Sequence, residues 1–460
     1  MQKIKVFFIF ALCSLMHCST TKVDSATEGG LVNGVYQIEA KKYILPNGLT
    51  VILSQNTKLP VFSIYSFYKV GSKDEPKGMT GASHFLEHMM FKGAKRFGPG
   101  QFDKIIEANG GFSNAYTNYD QTVYYEKMPS AALENILDLE ADRMQNLLLE
   151  PTGFKSEKQV VLEERKMRYE NSPSGQRYVT YMNKMMKNTP YEHPVIGTVA
   201  DVKSVSRDSV FKYFKEYYAP NNAIMVVVGD INYEKTLSAI KKKFGKIPAS
   251  KFINNRKEDK KYSIELSKNT VEHYHGKSEN PLFVLAFPGV PYGERAGYVG
   301  DLLGSILGGS KSSYLNQKYV STKSPLLNNI VAFNHTIKNA GVFSIQGEIS
   351  RPIGLSNFKN MLLKDFKTFC ANEITERNLQ KVKNQYLLDF YRELETNAGV
   401  ADYLGSVELY KGDFSQYVNE LKTYQSITVD EVKSSCKDFL LTNNHYFMTV
   451  WKKNKKKFDI

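Results

Sequence analysis

The chain has 460 residues, of which 42% are apolar and 23% charged, and its formal net charge is +14 at pH 7. These proportions exclude an intrinsically disordered protein, and the length favours two or more domains over one core. Lysines are spread along the chain without an arginine-rich block or a nucleic-acid-binding motif. We therefore expect a soluble basic surface and no nucleic-acid partner; attraction to acidic peptides or anionic lipid is the alternative.

The N-terminus predicts export. Lys3 and Lys5 precede the apolar run Val6–Met16. This run is too short to span a bilayer but has the length of a signal-peptide core. Because it lies at the extreme N-terminus behind lysines, an ordinary buried strand is the weaker interpretation.

The residues after this run suggest how the chain is held in its compartment. Cys18 lies in a setting that resembles a bacterial lipoprotein box, although His17 stands where a small residue is usual. Cleavage near Ala26 is the alternative. Ser19–Gly30 is small and polar, which is typical of a flexible tether. The prediction is a bacterial envelope protein, either periplasmic or anchored by lipid at Cys18.

Cysteine usage restricts the ligands of any metal. Cys13 and Cys18 belong to the signal region, and Cys370 and Cys436 are far apart in the second half. No Cys-x-x-Cys spacing is present, so a metal must be held by histidines and carboxylates. We expect Cys370 and Cys436 to be buried, unpaired and apolar in character.

Periodicity and turn signals divide the chain into two similar halves. The predicted elements of the first half are strands at Lys41–Leu45, Leu49–Leu53, Val61–Val70 and Ala223–Val228, strand material at Phe112–Lys127, a helix around His84, and helices at Gly98–Asn109, Ala131–Leu148 and Ser156–Tyr169. The charged segment Lys251–Lys261 is interpreted as a linker. The same order then resumes with strands at Pro281–Phe287 and Ala340–Ile349 and helices at Gly297–Leu307 and Ile353–Cys370.

This order predicts an α+β fold of two homologous domains, each a mixed or antiparallel sheet with helices packed on one face. The predicted divisions are a signal and tether at residues 1–30, a metal-binding catalytic domain at 31–250, and an inactive second domain at 251–460.

The segment Gly78–Gly93, GMTGASHFLEHMMFKG, contains the strongest chemical signal. On a helix, His84 and His88 are one turn apart on one face, so both imidazoles can reach one metal ion. Glu87 shares that face and can accept a proton from a water held by the ion. The flanking residues are apolar, so the helix is buried and its polar side chains need a common partner. A surface helix carrying the motif by chance is the alternative.

The helix predicted from Ser156 offers a third ligand. Ser156 and Gln159 form a capping-box pattern that predicts the start of the helix. Glu157 and Glu164 lie on its apolar stripe, while Glu163 lies off the stripe and is expected to be exposed. Glu164 is therefore the candidate ligand, and Glu157 is the candidate for a group that steadies a ligand or the metal. Ordinary solvated acids are the alternative.

These residues resemble the pitrilysin and mitochondrial-processing-peptidase family, whose metal motif is H-x-x-E-H. The family's third ligand is a glutamate about 75 residues beyond the second histidine, and its supporting glutamate matches Glu157. The resemblance implies one Zn²⁺ per chain, held by His84, His88 and Glu164, with Glu87 as general base.

The resemblance extends over Tyr43–Ile231 and is dense there. The segment Gly110–Tyr125, GGFSNAYTNYDQTVYY, resembles the family's edge strand, to which a substrate adds as a further strand. Asn114 and Ala115 are the matching positions for substrate binding.

The second half departs from the family. Leu307–Leu315 resembles a family segment, but Tyr314 stands where arginine is usual. Active members also carry an Arg/Tyr pair that binds the substrate carbonyl, and its positions fall on Val320 and Leu327, which cannot donate a hydrogen bond.

Some bacterial relatives divide this work between two chains, so the resemblance implies a heterodimer whose homologous partner supplies the pair. We expect zinc-dependent hydrolysis of short or unfolded peptides. The rivals are a non-catalytic scaffold and a peptide-binding subunit of the same fold.

Overall fold

A computed structural model describes residues 21–32, 35–257, 260–266, 269–452 and 458. The predicted signal segment and Cys18 lie outside these residues. The strands are β1 (Val23–Thr27), β2 (Gly30–Val32), β3 (Val35–Gln37), β4 (Ala40–Ile44), β5 (Thr50–Gln55), β6 (Val61–Tyr68), β7 (Phe112–Thr117), β8 (Thr122–Pro129), β9 (Ala223–Gly229), β10 (Thr270–His275), β11 (Leu282–Pro288), β12 (Leu327–Ile337), β13 (Ala340–Ile349) and β14 (Tyr446–Trp451).

The helices follow the same two-part order. They are α1 (Ala82–Met89), α2 (Gln101–Ala108), α3 (Leu133–Asn146), α4 (Pro151–Arg165), α5 (Pro173–Met185), α6 (Val199–Ser204), α7 (Arg207–Tyr217), α8 (Tyr233–Phe244), α9 (Lys251–Asn254), α10 (Arg295–Gly308), α11 (Tyr314–Tyr319), α12 (Leu355–Asn372), α13 (Glu376–Glu393), α14 (Asn397–Lys411), α15 (Tyr417–Ser426) and α16 (Val429–Leu440). A π-helical turn, Lys166–Glu170, continues α4.

The two halves each form a mixed sheet, which confirms the predicted fold class. The first sheet has the order β1-β4-β5-β9-β6-β8-β7, and the second has the order β10-β14-β11-β13-β12. The five strands β5-β9-β6-β8-β7 of the first sheet correspond to the five strands of the second sheet. In each set of five, the only parallel pair among the described strands joins the strands that come first and last along the chain, β5 with β9 and β10 with β14. The remaining neighbours are antiparallel. The shared order and directions match element by element, with β1 and β4 extending the first sheet.

Each sheet is covered on its second face by a helix from the other half, a feature that the sequence did not predict. Tyr181 and Met182 of α5 pack against Val284 and Met448 of the second sheet. In return, Ala401 and Leu404 of α14 pack against the first sheet, and Gly405 lies so close to Phe67 that a Cβ would overlap its ring. The two halves therefore share their cores across the predicted boundary near residue 250.

Two sequence predictions about local structure are wrong. Part of the supposed tether, Val23–Thr27, is an edge strand paired with β4. Helix α4 begins at Pro151 rather than at Ser156, because proline suits the first turn and Glu150 supplies the extended N-cap. The Ser156 hydroxyl donates to the Gly153 carbonyl inside the helix.

The two cysteines of the second half are buried as expected, but they are not unpaired. Cys370 of α12 and Cys436 of α16 form a disulfide across the helices that pack on the second sheet. Their distance in sequence, 66 residues, gave no local signal of this pairing. None of the helices in the described part of the chain is both long and apolar enough to cross a membrane.

Candidate metal centre

Helix α1 is fixed in place at its N-terminus. Gly81 has φ +91°, and a Cβ there would lie 2.5 Å from the Ile196 carbonyl oxygen, so only glycine fits. The Glu75 carboxylate accepts hydrogen bonds of 2.7 Å from the amides of Gly81 and Ser83. Burial raises the pKa of Glu75, while these two amide donors favour its charged form. The apolar side of α1 lies in the first core, so its orientation is set before any ligand binds.

The three predicted ligands meet at one point. The Nε2 atoms of His84 and His88 lie 3.7 and 3.4 Å from Oε2 of Glu164. Ligand atoms bound about 2.0–2.2 Å from a tetrahedral zinc ion lie about 3.3–3.6 Å apart. The two histidine–glutamate distances are therefore close to those of a tetrahedral zinc site, and the three ligand atoms lie within 4.8 Å of one another.

An unsatisfied atom at this point also fits a cation. Oε2 of Glu164 is buried and accepts no hydrogen bond in good geometry from the described residues. A buried carboxylate oxygen without a partner is costly, and a bound cation supplies that partner. The donor set of two imidazoles and one carboxylate is one that zinc accepts.

A second layer of charged groups holds these ligands. Glu157 accepts from Nδ1 of His88 at 2.9 Å and also pairs with Lys92 at 2.9 Å. Glu157 therefore orients the ring so that Nε2 faces the site, as supporting carboxylates of zinc histidines do. Arg168 pairs with Oε1 of Glu164 at 2.9 Å, which directs the other oxygen toward the histidines.

The pKa values of the two histidines shift in opposite directions. Burial lowers the pKa of His84 to about 4, so this ring is neutral at pH 7 and available as a ligand. Burial also opposes charge on His88, but the hydrogen bond to Glu157 and the nearby negative charge of Glu164 outweigh burial and raise the pKa of His88 to about 9. A proton therefore competes with a metal ion for His88.

Glu87 lies beside the ligands and is directed by a residue that the sequence did not suggest. The Thr117 hydroxyl, at the end of β7, donates a short hydrogen bond to Oε2 of Glu87. Burial raises the pKa of Glu87 and the Thr117 bond partly opposes this rise. A carboxylate with a raised pKa is better matched to proton transfer near neutral pH.

The centre forms the floor of an open groove of about 800 Å³. Asn114 and Ala115, the predicted substrate-binding positions, line this groove on β7, which is the last strand of the first sheet. Val160 and Met167 contribute exposed apolar surface on the opposite wall. Glu163, which was expected to be exposed, is exposed at its rim.

The positions expected for an Arg/Tyr pair offer no hydrogen-bond donor. Leu327 is fully buried at the start of β12, and Val320 follows α11. Of the nearby polar side chains, Tyr319 donates to Asp365, and Lys318 pairs with Asp365 at 2.6 Å. Both are therefore occupied within the second half.

Two family models match the sequence. The first is described as insulinase (peptidase family M16) and matches residues 50–199, and the second is described as the peptidase M16 inactive domain and matches residues 204–386. The zinc protease PqqE of Helicobacter pylori is 31% identical over 372 residues, covering 78% of this chain and 82% of that protein. A probable mitochondrial-processing peptidase subunit beta of Arabidopsis thaliana is 24% identical, covering 80% and 70%.

Solved structures agree on the fold. The crystal structure of a protease from Helicobacter pylori superposes with a TM-score of 0.83 at 27% identity, covering 90% of this chain and all of that one. The first half of the periplasmic protease PqqL from Escherichia coli has a TM-score of 0.70 at 19% identity, covering 90% and 92%. At that identity, the second likeness concerns the fold alone.

Proposed function

Because the chain belongs to peptidase family M16, we propose that it is a zinc-dependent endopeptidase acting on short or unfolded peptides. One observation carries this proposal. Nε2 of His84 and His88 and Oε2 of Glu164 lie within 4.8 Å of one another beside Glu87, in a groove bounded by a free strand edge. This arrangement holds a metal, a base and a place for a peptide within one surface.

In this proposal His84, His88 and Glu164 hold the ion. Zinc, when bound, polarises the scissile carbonyl and makes water acidic enough to lose a proton near neutral pH. Glu87 accepts that proton and returns it to the leaving nitrogen, and the hydrogen bond from Thr117 keeps one of its oxygens oriented. Glu157, which touches His88 and not the reacting atoms, is a positioning residue rather than a catalytic one.

The free edge of β7 supports a peptide bound as an added strand. On its inner side, β7 pairs with β8, and no described strand pairs with its outer side. Main-chain groups on this outer side near Asn114 and Ala115 can therefore bind a peptide irrespective of its sequence, once the Ala115 amide exchanges its hydrogen bond to Oδ1 of Asn114 for one to the peptide. Such binding requires an extended substrate, which explains the proposed preference for unfolded peptides.

We further propose that a homologous chain completes the site. The second half, residues 251–460, is assigned as a non-catalytic domain, since Val320 and Leu327 cannot donate to an oxyanion and Lys318 and Tyr319 are engaged with Asp365. A partner carrying an arginine and a tyrosine at these positions would supply the missing donors. The same observation favours a second candidate, a peptide-binding subunit that holds metal but hydrolyses little.

We place the protein in the bacterial envelope, exported and either free in the periplasm or anchored by lipid at Cys18. The disulfide between Cys370 and Cys436 supports export, because disulfides persist in oxidising compartments.

The test is cleavage of an unfolded peptide by the wild type and by Glu87→Gln, each alone and with a homologous candidate partner. We expect Glu87→Gln to retain zinc and to lose about 10²–10⁴-fold in rate, because the proton acceptor is removed and the ligands are not. Cleavage only in the mixture supports the divided site, whereas full activity of the chain alone contradicts it. Equal rates for both variants would reject the enzymatic proposal.

A further inference from the structure

Strand β7, whose outer edge is free, is also held by a contact from the second half of the molecule. The hydroxyl of Tyr116 on β7 donates a hydrogen bond of 2.7 Å to Oδ1 of Asp402 on α14. The side-chain amide of Gln121, in the turn between β7 and β8, donates to the same hydroxyl at 3.4 Å. The Tyr116 hydroxyl therefore joins its own hairpin to a helix of the other half.

Adjacent residues of β7 make contacts on opposite faces of the first sheet, because neighbouring side chains of a strand point to opposite sides. Thr117 contacts Glu87 on the side of α1, and Tyr116 contacts Asp402 on the side of α14. Strand β7 is thus fixed from both faces beside the proposed metal centre. Since pairing with β8 leaves the outer edge of β7 free, these two side-chain bonds limit how far that edge can move.

The carboxylate of Asp402 is a fixed acceptor. It follows Ala401, which is fully buried against the first sheet, and the side-chain amide of Asn397 at the start of α14 donates to the Val61 carbonyl at 3.2 Å. Burial raises the pKa of Asp402, whereas the hydrogen bond from Tyr116 favours its charged form. A hydrogen bond to a charged group is stronger than one between neutral groups, so this contact can hold an edge strand in place.

We propose that Asp402 is a positioning residue, which holds β7 in place for peptide binding by way of Tyr116. The inference rests on the proposed function, in which a peptide pairs with the free edge of β7. Such a peptide forms several main-chain hydrogen bonds at once, and a mobile edge must become ordered as it binds, which lowers affinity. The second half would thereby take part in substrate binding although it contributes no metal ligand.

Hydrogen–deuterium exchange of the full chain tests the placement of β7 without relying on cleavage. Tyr116→Phe removes the hydroxyl and keeps the ring, and it should speed exchange of the β7 amides that pair with β8 about tenfold, as expected for the loss of one hydrogen bond to a charged group. Asp402→Leu should have the same effect. Asp402→Asn, whose amide oxygen can still accept from Tyr116, should remain within about threefold of the wild type.

A hydrogen bond of the same kind provides the matched control. The Tyr424 hydroxyl donates at 2.7 Å to Asp301 within the second half. Tyr424→Phe therefore removes an equivalent bond that does not reach β7, and exchange in β7 should not change.

Peptide affinity tests the consequence for binding. The Kd of a fluorescent, unfolded peptide is measured on the zinc-loaded full chain carrying Glu87→Gln, which binds without cleaving. Adding Tyr116→Phe or Asp402→Leu should raise Kd about three- to tenfold, because ordering of the strand then accompanies binding. Adding Asp402→Asn or Tyr424→Phe should leave Kd unchanged. In the cleaving enzyme, Tyr116→Phe should raise KM and leave kcat unchanged.

The outcomes separate this inference from the proposed function. Exchange in β7 that Tyr116→Phe leaves unchanged, or that Tyr424→Phe raises equally, would overturn the positioning role of Asp402. Faster exchange without weaker peptide binding would overturn its link to the substrate. A zinc-loaded wild type that neither binds nor cleaves peptide would overturn the proposed function itself, and exchange would still decide whether Asp402 positions β7.

Discussion

The two halves of the molecule share a scaffold and differ in chemistry. In each, a central strand is followed by two helices and then by a hairpin at the sheet edge: β6, α1, α2, β7 and β8 in the first half, and β11, α10, α11, β12 and β13 in the second. Helix α1 carries His84, Glu87 and His88, and Glu164 faces it from α4. In the described part of the second half, no three His, Cys, Asp or Glu side chains meet in this way.

The counterparts of the ligands show how the second half lost or never had this role. Glu164 lies eight residues before Ser172, the N-cap of α5, and eight residues before Thr396, the N-cap of α14, stands Leu388. On α10, Asp301 is half-buried and accepts hydrogen bonds from Asn334 at 3.0 Å and from Tyr424 at 2.7 Å. Each of its oxygens thus accepts a hydrogen bond from a neutral donor within the fold.

The difference teaches that the repeated topology supplies positions, whereas a few side chains distinguish the half with the proposed metal site from the half without it. The second half contributes instead through α14, which covers the first sheet directly behind the strands that support α1. A change in the second half can therefore weaken the site without touching a ligand.

The largest expected effect comes from making the first half resemble the second. Glu164→Leu removes one of three ligands and places an apolar side chain where a cation is proposed, so peptide cleavage should fall to background. The reciprocal change, Leu388→Glu, adds a carboxylate to an exposed position on α13 and should leave cleavage unchanged. Residual cleavage by Glu164→Leu above one per cent of the wild type would break the comparison.

The next largest effect is a pH dependence of the free energy of unfolding that arises from Asp301 in the second half. Burial raises the pKa of Asp301 to about 6, above its ordinary value near 4 in an unfolded chain. The folded protein therefore binds this proton more tightly, so the contribution to stability is present below about pH 4 and is lost as pH rises through 6. The free energy of unfolding of the wild type, relative to Asp301→Asn, should fall by about 2–3 kcal/mol between pH 4 and pH 7.5.

Urea unfolding of both proteins across this range measures that difference. The variant cannot gain or lose the proton, so all other titrating groups cancel in the comparison. A difference that stays constant with pH would show that Asp301 is not buried in the way described.

A smaller effect, on metal affinity, is expected from changing the carboxylate that supports a proposed ligand in the first half. Glu157→Gln removes the charge that orients His88, and supporting carboxylates of this kind are worth about 10–100-fold in metal affinity. Activity should return when zinc is added in excess, because the three ligands remain. Glu163→Gln, on the same helix but exposed at the groove rim, is the matched control and should not change zinc affinity; an equal loss in both variants would remove the distinction.

The sequence predicted the parts of the site that lie close together along the chain. His84, Glu87 and His88 are spaced for one helix face, and the apolar stripe of α4 contains Glu157 and Glu164. Thr117 could not be found in this way, because its contact with Glu87 depends on how β7 is placed against α1.

The errors have similar causes. The small polar residues of Val23–Thr27 resemble a tether, yet they find a strand partner in β4, and pairing of that kind is decided by tertiary contacts. The start of α4 was placed at a capping-box pattern that occurs inside the helix. The packing of α5 on the second sheet and of α14 on the first could not be predicted from the sequence. An apolar stripe shows that one face of a helix is buried, but it does not show which element covers that face.

Zinc content is the most direct test of the claim that one half alone holds a metal. Atomic spectrometry of the purified full chain should give one zinc per chain for the wild type and for Glu87→Gln, and none for Glu164→Leu. That result would locate the ion at the first-half ligands and separate metal binding from the role of Glu87. No zinc in the wild type, or one zinc retained by Glu164→Leu, would contradict the account.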